Sequence, residues 1–559
     1  MSALAPLCGT GVTNIAGYLP LAARAWPHRI AVAFPAGRDG AGRVAWSHLT
    51  FAQLDRESDR LASGLLKAGI ARGMRTVVMV KPGIELFTLV FAVFKAGIVP
   101  VMVDPGMGVK NLEKCLAEAR PEAFIGVPIA HALRLLLGWG RATVRLNVTA
   151  GRRWFWGGPT LAEVQAMGGD EPTLVAPAEE ELAAILFTSG GTGVPKGVEY
   201  VHRNFLAQIE AIRGMYGILP GEVDLPTFPL FALFNPAFGS TSVIPEMDAT
   251  RPAKVNPLRI YEAVRDWGVS TMFGSPALLE TVSRHAAAHG VRLPTIRRVM
   301  SAGAPVPAPM MERFLPLLAD DAVVVTPYGA TECLPVATLS SREILAETRQ
   351  AADAGRGVCV GRPVPSVEVA IVSCHDDPIP AWREELRLPV GEVGEIAVKG
   401  PQVTRAYFGR DQATLLAKIP DPAGGLWHRM GDLGYLDEQG RLWFCGRKAH
   451  RVETGSERLL TIPCEAVFNR HPRVRRSALV AVVRGENVEP GVCVELEAGG
   501  AEVDLRALVA ELEALAQGAP HTRSIRRFFV HPGFPVDVRH NAKIDRLALS
   551  RWASQQAGG

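Results

Sequence analysis

The stretch Leu186-Phe187-Thr188-Ser189-Gly190-Gly191-Thr192-Gly193-Val194-Pro195-Lys196-Gly197 gathers four glycines, three hydroxyl side chains and one lysine into twelve positions. Glycine lets consecutive backbone N–H groups converge on an anion, hydroxyls add donors, and an ammonium supplies a compact positive charge. The combination is a phosphate cradle. It is not the Walker arrangement, because Lys196 follows Pro195 and precedes Gly197, where that motif needs Gly before the lysine and Ser or Thr after it. The apolar run from Ala183 to Phe187 predicts a buried strand feeding the loop, which a plain surface turn of similar composition lacks.

Outward from that loop the chain alternates helical patterns with short aliphatic runs. Before it lie Leu61 to Lys67, Thr76 to Val80, Glu85 to Lys95 and Val99 to Val103; after it, Tyr261 to Trp267, Ser270 to Phe273, Ala277 to His285, Val299 to Ser301 and Ala322 to Thr326. This rhythm predicts an α/β fold with parallel strands. From Val358 to Val398 short strands rich in Gly and Pro predict a β-rich subdomain. A boundary is expected near Gly446-Arg447-Lys448, giving an N-terminal domain of residues 1–446 and a C-terminal α+β domain of residues 447–559. The C-terminal domain is expected to carry strands at Ser477 to Val483 and Gly491 to Leu496 and a helix at Leu505 to Gln517. Two domains meeting at a hinge make a cleft for a large substrate.

Composition narrows the class. A chain of 559 residues is too long for one core, and 60 basic against 56 acidic residues give a formal charge of only +4, which offers nucleic acid no reason to bind. The basic clusters at Arg470 to Arg476 and Arg523 to Arg527 read as solvated faces. Eight cysteines without a CxxC pair read as free thiols of a reducing cytoplasm, and Cys374-His375-Asp376-Asp377 reads as a loop rather than a metal site. The N-terminus lacks the pattern of a signal peptide. The most apolar segment, Leu86 to Val103, is interrupted by Lys95, Gly97 and Pro100, so it predicts a helix and strand instead of a transmembrane segment. Arg152-Arg153-Trp154-Phe155-Trp156 mixes charge with large aromatics and reads first as a packed or mobile loop, with peripheral membrane contact left open.

Four further motifs accompany the cradle. They are Ser301-Ala302-Gly303-Ala304-Pro305, Thr326-Pro327-Tyr328-Gly329-Ala330-Thr331-Glu332, Met430-Gly431-Asp432 with Gly446-Arg447-Lys448, and Asn541-Ala542-Lys543-Ile544-Asp545-Arg546. Together the set resembles the adenylate-forming superfamily of acyl-CoA ligases, luciferases and adenylation domains. The resemblance implies a large N-terminal domain of three subdomains, two α/β sheets plus the β-rich one, and a small mobile C-terminal domain. It implies ATP held by Thr188, Ser189, Gly190, Gly191, Thr192, Gly193 and Lys196. Gly303, Ala304 and Pro305 would form the adenine turn, Tyr328 and Gly329 would pack on adenine, and Thr331 would meet phosphate. Asp432 would bind the ribose hydroxyls, with Arg447 opening the hinge. Glu332 would hold Mg²⁺, and Lys543 would bridge the acyl carboxylate and the α-phosphate. Transfer of a carboxylate to AMP creates a good leaving group, so the protein's task is to position two anions and offset their repulsion.

Departures from that pattern point further. The loop carries Gly191 where Ser or Thr is usual, His450 stands nearest the usual hinge aspartate, and Gly455-Ser456 alters the loop that lines the pantetheine tunnel in CoA ligases. Ala232 replaces a histidine beside the reacting carboxylate, leaving room for a branch, while Phe231 and Phe234 suit a long apolar chain. The string Phe228 to Gly239, continuing through Ser242 to Pro252, is similar to the bacterial olefin-biosynthesis β-lactone synthetases. That resemblance implies a long-chain 2-alkyl-3-hydroxy acid substrate whose β-hydroxyl attacks the acyl-AMP, with His202 and His450 as candidate bases. It also implies pathway partners, a hydrolase-fold β-lactone decarboxylase and an NADPH-dependent reductase. A long-chain fatty acyl-CoA ligase, a carrier-protein acyl ligase and a non-catalytic nucleotide-binding scaffold are the alternatives.

Overall fold

The computed structural model describes residues 11–188, 195–455, 457–485, 487–497, 504–536 and 544–558. Apolar runs bounded by Gly and Pro become the strands of a six-stranded sheet, in the order Leu146–Thr149, Ala123–Gly126, Arg75–Met79, Val99–Met102, Leu182–Thr188 and Lys196–Val201. Neighbours are parallel except the last pair, which is an antiparallel hairpin. The helix Phe51–Lys67 starts at a capping box between Thr50 and Gln53 and turns Leu54, Leu61 and Leu65 into the core. Beside it the expected helix and strand appear as Ile84–Lys95 and Val99–Met102. The fully buried Lys95 ammonium sits 2.6 Å from Asp55 and 2.8 Å from Asp59, so its charge is paired where it cannot be hydrated. Among the described residues no helix is long and apolar enough to cross a membrane.

The second α/β sheet runs in parallel from Ile30–Arg38 through Thr241–Val243, Val223–Pro226, Thr271–Phe273 and Arg298–Met300 to Val323–Ala330. The expected β-rich stretch forms antiparallel strands that continue this sheet. Pairing carries it through Cys333–Ser340 and Val358–Pro363 to Leu442–Arg447, Leu426–Leu436, Gly394–Lys399 and Glu368–Val372, a path of 13 strands that the side strand Lys418–Pro420 brings to 14. The residues after Arg447 build a three-stranded sheet of Val474–Arg484, Asn487–Leu496 and Arg527–Val530, packed with the helices Thr461–Phe468, Leu505–Gly518 and Arg546–Gly558 around cores of their own. Within the expected basic face, Arg475 and Arg476 pair with Glu495.

Candidate active site

The hairpin Leu182–Thr188/Lys196–Val201 sets Thr188 opposite Lys196, the last Cα pair before its tip. Ser189, Gly190, Gly191, Thr192 and Gly193 of the expected cradle lie outside the described residues, as does Lys543. The two posts of the loop, Thr188 and Lys196, line a cavity of about 2690 Å³ that extends from the six-stranded sheet across the 14-stranded one to the C-terminal residues Ile544 and Arg546. Arg410 braces the foot of the loop. Its guanidinium donates to the Pro195 carbonyl at 2.9 Å and pairs with Glu118 at 2.6 Å.

A second hairpin, Val323–Ala330/Cys333–Ser340, carries Thr331 and Glu332 at its tip. The strand expected from Ala322 to Thr326 runs on through the motif to Ala330, because Thr326, Pro327, Tyr328 and Ala330 pair with Leu339, Thr338, Ala337 and Cys333. Gly329 is required there, since a Cβ would lie 2.8 Å from the Cys333 carbonyl oxygen. Two bonds from neighbouring elements fix the tip: Tyr200 Oη donates to the Thr331 carbonyl at 2.6 Å, and the Thr404 N–H to the Glu332 carbonyl at 2.9 Å.

The segment 405–410 runs beside Lys196–Val201 through a bridge between Val198 and Tyr407, and so delivers Tyr407 between the two hairpin tips. Tyr407 Oη donates to Glu332 Oε1 at 2.7 Å, while the Lys196 ammonium lies 4.6 Å from the centre of its ring. Burial lowers the Lys196 pKa and Glu332 pulls it back up. Burial and then the Glu332 charge raise the Tyr407 hydroxyl, keeping it a neutral donor. Behind Glu332 the buried Lys418 ammonium donates to the Thr404 carbonyl, with burial lowering its pKa to about 8 against the pull of Glu332. Tyr407, Arg410 and Lys418 carry no motif visible in the sequence; an aromatic between two arginines, Arg405-Ala406-Tyr407-Phe408-Gly409-Arg410, is the one local sign.

Further along the wall, Gly303, Ala304 and Pro305 follow the strand Arg298–Met300 and line the cavity, Gly303 at φ +94°. Tyr328 Oη donates to Asp432 Oδ2 at 2.6 Å. Asp432 faces Arg447 across adjacent strands, with Nη1 2.9 Å from Oδ1 but too poorly aligned to satisfy that oxygen. Burial pushes the Asp432 pKa up and Arg447 opposes the rise. A buried carboxylate with one unsatisfied oxygen on a cavity wall is a ready acceptor for a pair of hydroxyls.

The apolar end is built from Phe228, Phe231, Phe234 and Phe238, with Phe231 packed edge-on against Phe273 at 4.5 Å. Two residues expected here lie elsewhere. Ala232 is buried in the core behind the 3₁₀ turn Pro229–Phe234, while its larger neighbours Phe231, Leu233 and Phe234 line the cavity. His202 is buried at the start of the helix His202–Tyr216, off the wall, with burial lowering its pKa to about 4. It has neither the position nor the basicity for the role of base. His450 does line the cavity, in the turn Lys448–His450. The expected loop at Cys374 to Asp377 docks against that turn, Asp376 pairing with Arg451 at 2.6 Å and with Lys448 at 3.4 Å.

Glu332 lines the cavity with one carboxylate oxygen held by Tyr407, a donor set compatible with a divalent cation shared with phosphate oxygens. Mg²⁺ bound with nucleotide needs only one or two carboxylates from protein, and among the described residues no cluster of three or more metal-ligating side chains forms a cage of another kind.

Residues 19–408 match the family described as AMP-binding enzyme. The chain is 50% identical over 553 residues to an olefin beta-lactone synthetase of Xanthomonas campestris pv. campestris, covering 98% of each chain. It is 51% identical over 551 residues to one of Stenotrophomonas maltophilia, covering 97% of this chain and 98% of that one. In fold it is similar to the amide bond synthetase McbA of Marinactinospora thermotolerans, with TM-score 0.76 and 24% identity over 96% of this chain and 99% of that one. It is also similar to an o-succinylbenzoate coenzyme A synthetase of Bacillus subtilis solved with ATP and magnesium ion, with TM-score 0.73 and 22% identity over 95% and 98%. The chain therefore belongs to the AMP-binding, adenylate-forming enzymes, in one family with the olefin beta-lactone synthetases.

Proposed function

We propose that this enzyme converts a long-chain 2-alkyl-3-hydroxy acid and ATP into a β-lactone, AMP and diphosphate. A carboxylate oxygen of the acid attacks the α-phosphorus, the bond to diphosphate breaks, and an acyl-AMP results. The β-hydroxyl oxygen then attacks the acyl carbon, the bond to AMP breaks, and the hydroxyl proton passes to a base, for which His450 is the candidate on the cavity wall. An internal nucleophile gains from high effective molarity and needs no acceptor tunnel.

The observation that carries this reading is one continuous wall. It joins Asp432, Tyr328 and the Gly303–Pro305 turn at a nucleotide end to Lys196 and Glu332, and these to an aromatic apolar end at Phe231 and Phe234. Asp432 would take the ribose hydroxyls, Gly303 to Pro305 the adenine edge, and Thr188, Ser189, Gly190, Gly191, Thr192, Gly193 and Thr331 the phosphates. Lys196 would offset charge on the leaving diphosphate, and Lys543 would sit between the acyl carboxylate and the α-phosphate. Glu332 would hold Mg²⁺, which when bound supplies charge neutralisation between the phosphate oxygens. Residues 447–559 would form a mobile domain hung from Arg447 that carries Lys543 to the site, in a cytoplasmic enzyme working with a β-lactone decarboxylase and a reductase.

The test is an assay with Mg-ATP and a synthetic 2-alkyl-3-hydroxy acid, with and without CoA, reading AMP and product mass before heating. AMP with a CoA-independent product lighter by one water supports the reading. A thioester formed only with CoA overturns it in favour of an acyl-CoA ligase, and absence of AMP in both arms leaves a scaffold. Lys543→Ala is expected to lower AMP formation by roughly 10²–10³-fold, the scale of losing one charge-stabilising group, while equilibrium dialysis shows ATP still bound.

A further inference from the structure

The helix Pro128–Leu137 is inside out. Its one charged side chain, Arg134, is only 7% exposed and packs over the Phe124 ring, with Nε left without a hydrogen-bond partner. Its outward positions are apolar: Leu136 is 81% exposed and Ile129 55%. A helix on the outside of a protein in water has the opposite pattern. Next to it the loop 152–156 is fastened by Trp156 stacked on His131 at 5.2 Å, which holds two further large side chains outward, Phe155 at 78% and Trp154 at 52% exposure.

Charge decides what this face fits. From Ala123 to Ala162 the sequence has five arginines and no acidic residue. Arg134 is buried, while Arg141 and Arg145 after the helix and Arg152 and Arg153 in the loop are exposed, and among the described residues Arg153 alone of these four reaches an acid, Glu163 at 3.5 Å. Leucine and phenylalanine at the centre, tryptophan beside them and arginine at the rim are the side chains that settle at the boundary between headgroups and acyl chains of an anionic bilayer. The face also adjoins the cavity: Ile129 belongs to both the outer face and the cavity wall, which Leu133 joins one turn on.

We propose that the helix Pro128–Leu137 and the loop 152–156 dock this enzyme on an anionic lipid surface, so that the cavity is filled with its alkyl substrate from the membrane. The docking itself stands on the geometry and charge above. The delivery of substrate rests on the long-chain reading of the cavity.

The experiment is co-sedimentation of the full-length enzyme with vesicles of phosphatidylglycerol in phosphatidylcholine and of phosphatidylcholine alone. A parallel assay measures AMP release from a short, water-soluble 3-hydroxy acid. The wild type is expected to sediment with the anionic vesicles, to bind neutral ones at least about tenfold less, and to weaken at about 1 M salt, where the Debye length falls to about 3 Å. Leu136→Glu/Phe155→Glu is expected to reduce sedimentation at least tenfold and leave AMP release from the short acid unchanged. An enzyme that stays in the supernatant with both vesicles, or a double variant that binds as the wild type does, overturns the proposal. So does a wild type that ignores vesicles but forms a dimer or a complex with another protein that the double variant loses, because the face is then a protein interface. Failure of AMP release in the wild type counts against the catalytic reading and leaves the sedimentation result to stand on its own.

Discussion

Tyr407 places one hydroxyl between an anion and a cation that would otherwise approach each other directly. Its ring takes the Lys196 charge and its Oη satisfies Glu332. Tyr407→Phe keeps the ring and removes the donor. Losing one such bond costs about 1 kcal/mol, and the freed Glu332 oxygen turns toward Lys196, so AMP formation is expected to fall about tenfold with a changed Mg²⁺ requirement, read from a Mg²⁺ titration. Asp224, buried on the cavity wall, shows the other face of burial. Desolvation pushes its pKa up to about 7, although Asn235 donates to it at 2.9 Å. A carboxyl raised above its unfolded value of about 3.9 adds stability below that value and loses it as pH rises through 7. Asp224→Asn should therefore gain on the order of 1–3 kcal/mol over the wild type between pH 5 and pH 8, measured by denaturant melts at both pH values. Neither residue announces itself in the sequence. Lys196 sits in a loop whose composition points to phosphate, and Glu332 and Asp432 in motifs legible through their resemblance to the superfamily, whereas Tyr407 reaches Lys196 through a bridge to Val198, a pairing that no local pattern encodes.

At the scale of elements, the readable features are those driven by periodicity: the strand into the cradle, the helix and strand at Ile84–Lys95 and Val99–Met102, and the strands and helix beyond Arg447. The strand through Tyr328 is not readable, because its Gly and Pro content argues for a loop and only the partner strand Cys333–Ser340 overrules it. Ala232 departs from its expected place because its small side chain packs into the core while its larger neighbours on the same turn cover the cavity wall. Another close approach ties the end of the large sheet to the first long helix beyond it. Gly446 stands at φ +129°, and a Cβ on it would lie 2.2 Å from Thr461 Oγ1 at the start of the helix Thr461–Phe468. Gly446→Ala is expected to cost about 1–3 kcal/mol, and adding Thr461→Ala to recover only the part due to the clash; urea melts of both variants check the split.

For the whole molecule, the continuous sheet matters more than the count of its strands. The hairpin with Glu332 at its tip, the strand holding Asp432 and the strand ending at Arg447 belong to one hydrogen-bonded surface, so the Asp432 end of the cavity and the joint to the C-terminal residues are built on a single support. The turn after Arg447 is held to the body by charge, with Lys448 3.1 Å from Glu395 and Arg451 2.6 Å from Asp376. Glu395 is buried and Asp376 is exposed, so the outer pair is the one that can open and be screened by salt. Asp376→Asn is expected to speed amide hydrogen exchange across residues 448–453 several-fold without lowering the global melting temperature by more than a few degrees.

Asp432 gives that arrangement its sense. The carboxylate already has Tyr328 as a hydrogen-bond donor and Arg447 as a counter-charge, so a ribose bound there as proposed would enter a competition, its affinity a difference between two partnered conditions of the same group. Arg447 is also the residue from which the C-terminal portion leaves the sheet. On the proposed function, whatever drew Asp432 away from Arg447 would loosen that attachment, and by reciprocity occupancy at this carboxylate and the posture of the chain beyond residue 447 would be one equilibrium read at two ends.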